Sequence, residues 1–120
     1  MCRSSAYTRS VSKQSMQEPT FLILTALAAG AQHGYGIMTD VVRISDGRVR
    51  LRAGTLYAAL DRLKADGLVT SDKEEIVDGR LRRYYRITEE GAQQLEVEVR
   101  RLRANAAAAA HRLGLAGGTI

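Results

Sequence analysis

Tryptophan is absent from this sequence, and phenylalanine, proline and cysteine occur once each. With a single cysteine, Cys2, no intrachain disulfide can form, so the chain is not a disulfide scaffold and a reducing compartment is expected. His33 and His111 are the only histidines, too few beside one cysteine for a zinc site of Cys and His ligands. No hydrophobic run reaches the length of a membrane span. The opening stretch MCRSSAYTRSVSKQSMQEPT is basic but has no apolar h-region, so it does not read as a secretory signal. A cytoplasmic protein without metal or other cofactor is expected. Enzymatic chemistry is disfavoured as well, because no nucleophile–base pairing, phosphate loop or metal spacing occurs. His33, beside Gly34, reads as a turn or helix-start residue rather than a general base.

What is present is apolar and basic. The 120 residues suit one domain, and 45% of them are hydrophobic, mostly Leu, Ala, Val and Ile, which points to a mainly helical core. The formal net charge is +5 and the sequence pI near 9.8, a balance that favours an acidic partner such as nucleic acid or an anionic membrane. Most of the cations are arginine, a bias that a GC-rich genome would also give.

Residues 1–17 are Ser-rich, carry Arg3, Arg9 and Lys13, and read as a flexible arm. Met16, just before the ordered pattern, is a second candidate for the translation start. Pro19 fits the first turn of a helix that carries Phe21, Leu22, Ile23, Leu24 and Leu27 and ends at Gly30. A second helix runs from near Gly34 through Ile37, Met38, Val41 and Val42 to about Ile44, where Ser45-Asp46-Gly47 breaks it. Arg48 to Arg52 alternates basic and apolar residues and is expected to form a short strand. In the third helix Leu56, Leu60 and Leu63 share one face, Gly67 fits the left-handed C′ position, and Arg52-Ala53-Gly54 offers no side-chain cap.

Asp78-Gly79 is a strong hairpin signal, since a type I′ turn needs positive φ at both central residues. A strand over 68–76 precedes it and one over 81–87 follows. Alternation puts Leu81, Arg83, Tyr85 and Ile87 on one face and Arg82, Tyr84 and Arg86 on the other. Thr88 fits an N-cap, with Glu89 and Glu90 at the positive end of a last helix. Three helices, a two-stranded hairpin and a further helix make the order of a winged helix-turn-helix: a mainly α fold over 18–88 with a small β-hairpin wing. A C-terminal helix over 89–113 and a flexible tail over 114–120 complete the chain. A solvated hairpin is the plain alternative for the basic segment taken alone.

In such a fold the third helix enters the major groove by its N-terminal end. Its outward face should hold Thr55, Tyr57, Ala58, Asp61 and Arg62. Thr55 can bond a base edge or a phosphate, Tyr57 can reach a phosphate, and Arg62 and Lys64 suit phosphates. Arg80, Arg82 and Arg83 gather at the wing tip. Tyr57 as a half-buried packing residue and Lys64 as a solvated charge are the plain alternatives.

HGYGIM at 33–38, GTLYAALDRLKADGLV at 54–69 and GRLRRYYRITEEG at 79–91 together resemble the PadR-like family of bacterial transcriptional regulators. The resemblance spans roughly residues 17–113. It implies a winged-helix fold, a dimer, and repression of a neighbouring gene or operon. By that resemblance Tyr35, Thr55, Tyr57, Arg82 and Arg83 are DNA contacts, and Tyr85 is the structural tyrosine of the wing. Two positions depart from the family pattern: Ala58 stands where proline is frequent, and Gly36 where an acid is common.

The last helix adds a dimer signal of its own. Ala92, Leu95, Val99, Leu102, Ala106, Ala109 and Leu113 repeat at spacings of 3 and 4, a heptad seam expected to pair with a second chain. A long intrachain helix is the alternative. The expected function is therefore a dimeric repressor that binds a pseudo-palindromic site in double-stranded DNA, with any small-molecule effector unknown. The rival is a winged-helix module that binds protein and not DNA; the arginine cluster at the wing argues against it.

Overall fold

The computed structural model describes residues 16–115. Its elements are, in chain order, α1 (Glu18–Ala28), β1 (Gln32–His33), α2 (Gly34–Ile44), α3 (Ala53–Ala65), β2 (Val69–Val77), β3 (Arg80–Ile87) and α4 (Glu89–Leu113). The three strands form one antiparallel sheet in the order β1-β3-β2.

Local chemistry accounts for most boundaries. Pro19 lies in the first turn of α1, where its missing N–H costs nothing. In α3 Leu56, Leu60 and Leu63 are all buried, as their spacing requires. That helix ends in a Schellman motif: Leu68 N–H bonds the Leu63 carbonyl at 2.9 Å, Gly67 N–H bonds that of Lys64 at 3.1 Å, and Gly67 takes φ +80°. Thr88 caps α4, its hydroxyl accepting from Gly91 N–H at 2.9 Å and donating to the Gly67 carbonyl at 2.7 Å. Asp78 and Gly79 have φ of 54° and 77°, the pair of positive values that a type I′ turn demands.

The core sits around α1, whose Leu22, Ile23, Leu24, Ala26 and Leu27 are buried against Ile37 and Val41 of α2, the α3 leucines, Val69, Tyr85 and Leu95. Each fully buried leucine or isoleucine contributes about 2 kcal/mol. Tyr85 anchors the wing to this core, and Met16, although in the expected N-terminal arm, is partly buried against it.

The expected strand over 48–52 does not form. Val49 and Leu51 do turn towards the core, but the Val49 backbone is bonded by the buried Ser45 side chain, whose Oγ accepts from Val49 N–H at 3.0 Å. A side chain thus stands where a ladder partner would be needed. The third strand is instead Gln32–His33, which pairs with Tyr85 and Tyr84. Helix α1 ends at Ala28 rather than at Gly30. Residues 1–15 of the expected arm and 116–120 of the expected tail lie outside the described residues.

Candidate nucleic-acid interface

Tyr35 opens α2 and Thr55 and Tyr57 open α3; all three are exposed, Tyr35 by 72% and Tyr57 by 43%. The two helices meet closely at this point. A Cβ added to Gly34 would collide with the hydroxyl of Tyr57 and come within 2.7 Å of its Cζ. Gly34 therefore seats the Tyr57 ring, and with it the start of α3, on the start of α2.

A groove of about 670 Å³ separates these helix starts from the wing. It is lined by His33, Gly34, Tyr35 and Tyr57 on one side and by Val77, Asp78, Arg80, Leu81, Arg82 and Arg83 on the other. Five of the sequence-derived contact residues (Tyr35, Tyr57, Arg80, Arg82 and Arg83) thus border one surface, with Thr55 exposed in the same turn of α3 as Tyr57. The other two lie elsewhere. Arg62 lines a second cavity, of about 800 Å³, among Met16, Leu63, Asp66, Leu68, Glu90 and Glu98. Lys64 is exposed near the C-terminus of α3, away from the end that meets the groove.

The wing arginines are not equivalent. Arg83 Nε bonds Glu74 Oε2 at 2.9 Å, which raises the arginine pKa and sets a carboxylate against its positive charge. Arg86 faces Asp72 at 3.8 Å. Arg80 and Arg82 make no ion pair among the described residues. A β-bulge between Ser71 and Glu74 sets the register, with Glu74 opposite Arg83 and Glu75 opposite Arg82, but Glu75 is bonded by the Tyr84 hydroxyl at 2.8 Å.

Two residues that the sequence did not single out for this surface join the wing to the helices. His33 is the N-cap of α2, its Nδ1 accepting from Gly36 N–H at 3.2 Å. Its ring stands edge-on to Tyr84, with centroids 5.3 Å apart. Tyr84 in turn donates to Glu75 at 2.8 Å and carries the Lys73 ammonium 5.0 Å from its ring centre. Burial lowers the His33 pKa, and Arg82 lowers it further against the opposing pull of Glu75, which favours the neutral ring with its acceptor nitrogen. The alternation of β3 gave the face of Tyr84, but its partner His33 comes from β1, far back in the sequence, and left no local signal.

The C-terminal helix divides along its length. Leu95 is buried in its own domain and Val99 is half-buried, whereas Leu102 is 41% exposed, Leu113 is 72% exposed, and Ala106 and Ala109 are exposed. One apolar stripe therefore starts on the domain and continues beyond it. Beside the covered part Glu98 is buried and held by Arg101 at 2.6 Å; that contact, with a backbone bond from Met16, draws its pKa down against burial.

No described helix is long and apolar enough to cross a membrane, and among the described residues no group of three His, Cys, Asp or Glu is placed to hold a metal ion.

The family model for the transcriptional regulator PadR-like family matches residues 23–97. Transcriptional regulator Rv3488 of Mycobacterium tuberculosis is 49% identical over 80 residues, 67% of this chain and 71% of that protein. Among solved structures, a PadR family transcription regulator from hypervirulent Clostridium difficile R20291 superimposes with a TM-score of 0.65 at 29% identity, covering 78% of this chain and 96% of that one. Bacillus subtilis PadR, solved in complex with operator DNA, shares the fold with a TM-score of 0.59 at 22% identity, over 67% of this chain and 45% of its own.

Proposed function

The chain belongs to the PadR-like family of transcriptional regulators, and we propose that it works as a dimeric repressor that reads a pseudo-palindromic operator in double-stranded DNA. The observation that carries the proposal is the shared groove: the exposed starts of α2 and α3 stand opposite a wing tip whose Arg80 and Arg82 make no ion pair among the described residues. Thr55 and Tyr57 at the start of α3 are at the end that enters a major groove, and the wing arginines are placed for the flanking phosphates. Arg83 takes a phosphate only by giving up Glu74. Arg62 and Lys64 contribute at most to the long-range field that steers the chain to DNA.

Two copies are needed for a palindrome. The exposed continuation of the α4 stripe through Leu102, Ala106, Ala109 and Leu113 supplies a surface for pairing. The small Ala106 and Ala109 let two helices approach closely, and Leu95 and Val99 support the stripe from within the domain.

Selection from a random duplex pool, with binding to the selected site repeated across salt concentrations, tests the proposal. A two-fold-related motif is expected, with half-sites about one helical turn apart or a multiple of it, and with affinity falling steeply as salt rises. A pool that yields no enriched motif, or binding indifferent to salt, would defeat it.

A further inference from the structure

The cavity of about 800 Å³ that Arg62 lines shares no residue with the groove assigned to DNA. Three parts of the chain wall it: Met16 on the way into α1, Arg62, Leu63 and Asp66 at the end of α3, and Glu90 and Glu98 in the first half of α4. Leu68, just past α3, completes the apolar side. The volume is that of a small-molecule site. Leu63 is buried, and Met16 and Leu68 are partly buried against the core, so part of the lining is apolar. The rest is charged.

Those charges are of both signs, and most are not used within the domain. Glu98 is held by Arg101 at 2.6 Å. Arg62, Asp66 and Glu90 make no ion pair among the described residues. Arg62 and Asp66 stand one turn apart at the end of α3, a spacing at which opposite charges reach each other, and still no ion pair joins them. A guanidinium open to a forked pair with a carboxylate, and two carboxylates open to an ammonium, therefore border one apolar floor. This set selects among ligands. A plain anion would meet two carboxylates. A plain amine would leave Arg62 beside a second cation. A metal ion lacks its ligands, since among the described residues no three of His, Cys, Asp or Glu are placed to hold one. A zwitterion satisfies both signs at once.

We propose that this cleft binds a free amino acid with a large apolar side chain. Its carboxylate pairs with Arg62, its ammonium with Asp66 and Glu90, and its side chain lies on Leu63, Leu68 and Met16. The bound molecule touches the end of α3 and the first half of α4 together. The site stands apart from the DNA surface and does not rest on the chain's binding DNA.

Calorimetric titration of the full chain with each of the standard amino acids in free form tests the site. Leucine or another large apolar amino acid is expected to bind, and glycine and lysine are not. Analogues of the tightest binder then separate the two charges. For leucine these are leucinamide, which lacks the carboxylate, and isocaproate, which lacks the ammonium. Each is expected to bind about tenfold more weakly than leucine. Arg62→Gln should weaken leucine about tenfold and leave leucinamide unchanged. Asp66→Asn with Glu90→Gln should weaken leucine and not isocaproate. All three side chains are exposed, so both variants should fold, and the analogues give the same answer on the wild type. The proposal is overturned if no free amino acid binds, if either analogue binds as tightly as its parent, or if neither variant changes the affinity. It also falls if the Asp66 and Glu90 variant sediments as a smaller species than the wild type, because a second copy of the chain then fills the cleft.

Discussion

Gly34 and Tyr57 act as a pair at the residue scale. A methyl at position 34 has nowhere to go unless the exposed Tyr57 ring swings away. Gly34→Ala is therefore expected to cost little in folding, about 1 kcal/mol, and to weaken DNA binding about as much as Tyr57→Ala does. Combining the two should cost scarcely more than either alone, because both remove the same ring from the same place. Binding losses that simply add in the double variant would show that Tyr57 keeps its position even when Gly34 is replaced. His33 yields a second residue-level expectation. Its folded pKa lies below the ordinary histidine value of 6.5, so below that pH the unfolded chain binds more protons than the native one. Its contribution is intact above 6.5 and is lost as the pH falls through that value towards the lowered one. His33→Asn keeps a side-chain acceptor for Gly36 N–H and does not titrate. In urea unfolding between pH 7.5 and 5 the variant should lose less stability than the wild type over this window. Identical pH profiles would contradict a titrating cap.

The wing shows how an element can sort its own charges. Four arginines fall within β3, but Glu74 and Asp72 on β2 face two of them and leave Arg80 and Arg82 unpaired among the described residues. Exposed pairs of this sort contribute little to stability. Their effect is to decide which cations are available to phosphate. Arg80→Ala with Arg82→Ala is expected to flatten the dependence of log affinity on log salt by about two units, one for each phosphate released. Arg83→Ala should change it by less than one, since Glu74 already balances that charge. Binding measured from 50 to 300 mM salt (roughly the range over which such slopes are read) checks both. Equal slopes for the two variants would mean that Glu74 gives way to DNA.

For the whole molecule the question is what covers the outer half of α4. Leu95 and Val99 belong partly to the domain, while Leu102 stands where the helix leaves it, 41% exposed. Leu102→Asp puts a carboxylate at that point. In a lone chain the site is solvated and the cost is small. Between two paired helices the charge is buried without a partner, which is strongly destabilising. Sedimentation at matched micromolar concentration is expected to show a dimer for the wild type and a monomer for the variant, with operator binding lost in parallel. A wild type that sediments as a monomer would reassign the stripe to some other use.

The sequence by itself determined what rests on short-range energies. The Asp78-Gly79 turn, the Thr88 cap, the Gly67 terminus of α3 and the buried face of Leu56, Leu60 and Leu63 each follow from residues within a few positions of one another. They stand as the local physics requires. Tertiary structure decided whatever needs a distant partner. The alternating segment 48–52 carries a strand pattern, but none of the described strands pairs with it and Ser45 bonds its backbone instead. The two residues of β1 are too few for any periodicity and become a strand only because β3 lies alongside. The bulge between Ser71 and Glu74 sets Glu74 opposite Arg83 and Glu75 opposite Arg82, but Glu75 is bonded by the Tyr84 hydroxyl and only Arg83 gains an ion pair, a difference that two adjacent arginines do not announce. Arg62 has the right type for a phosphate contact, yet the turn of α3 faces it towards Asp66, Glu90 and Glu98. Caps and turns are fixed by the backbone's own neighbours, whereas register, charge pairing and the direction of a side chain are fixed by whichever element packs against it.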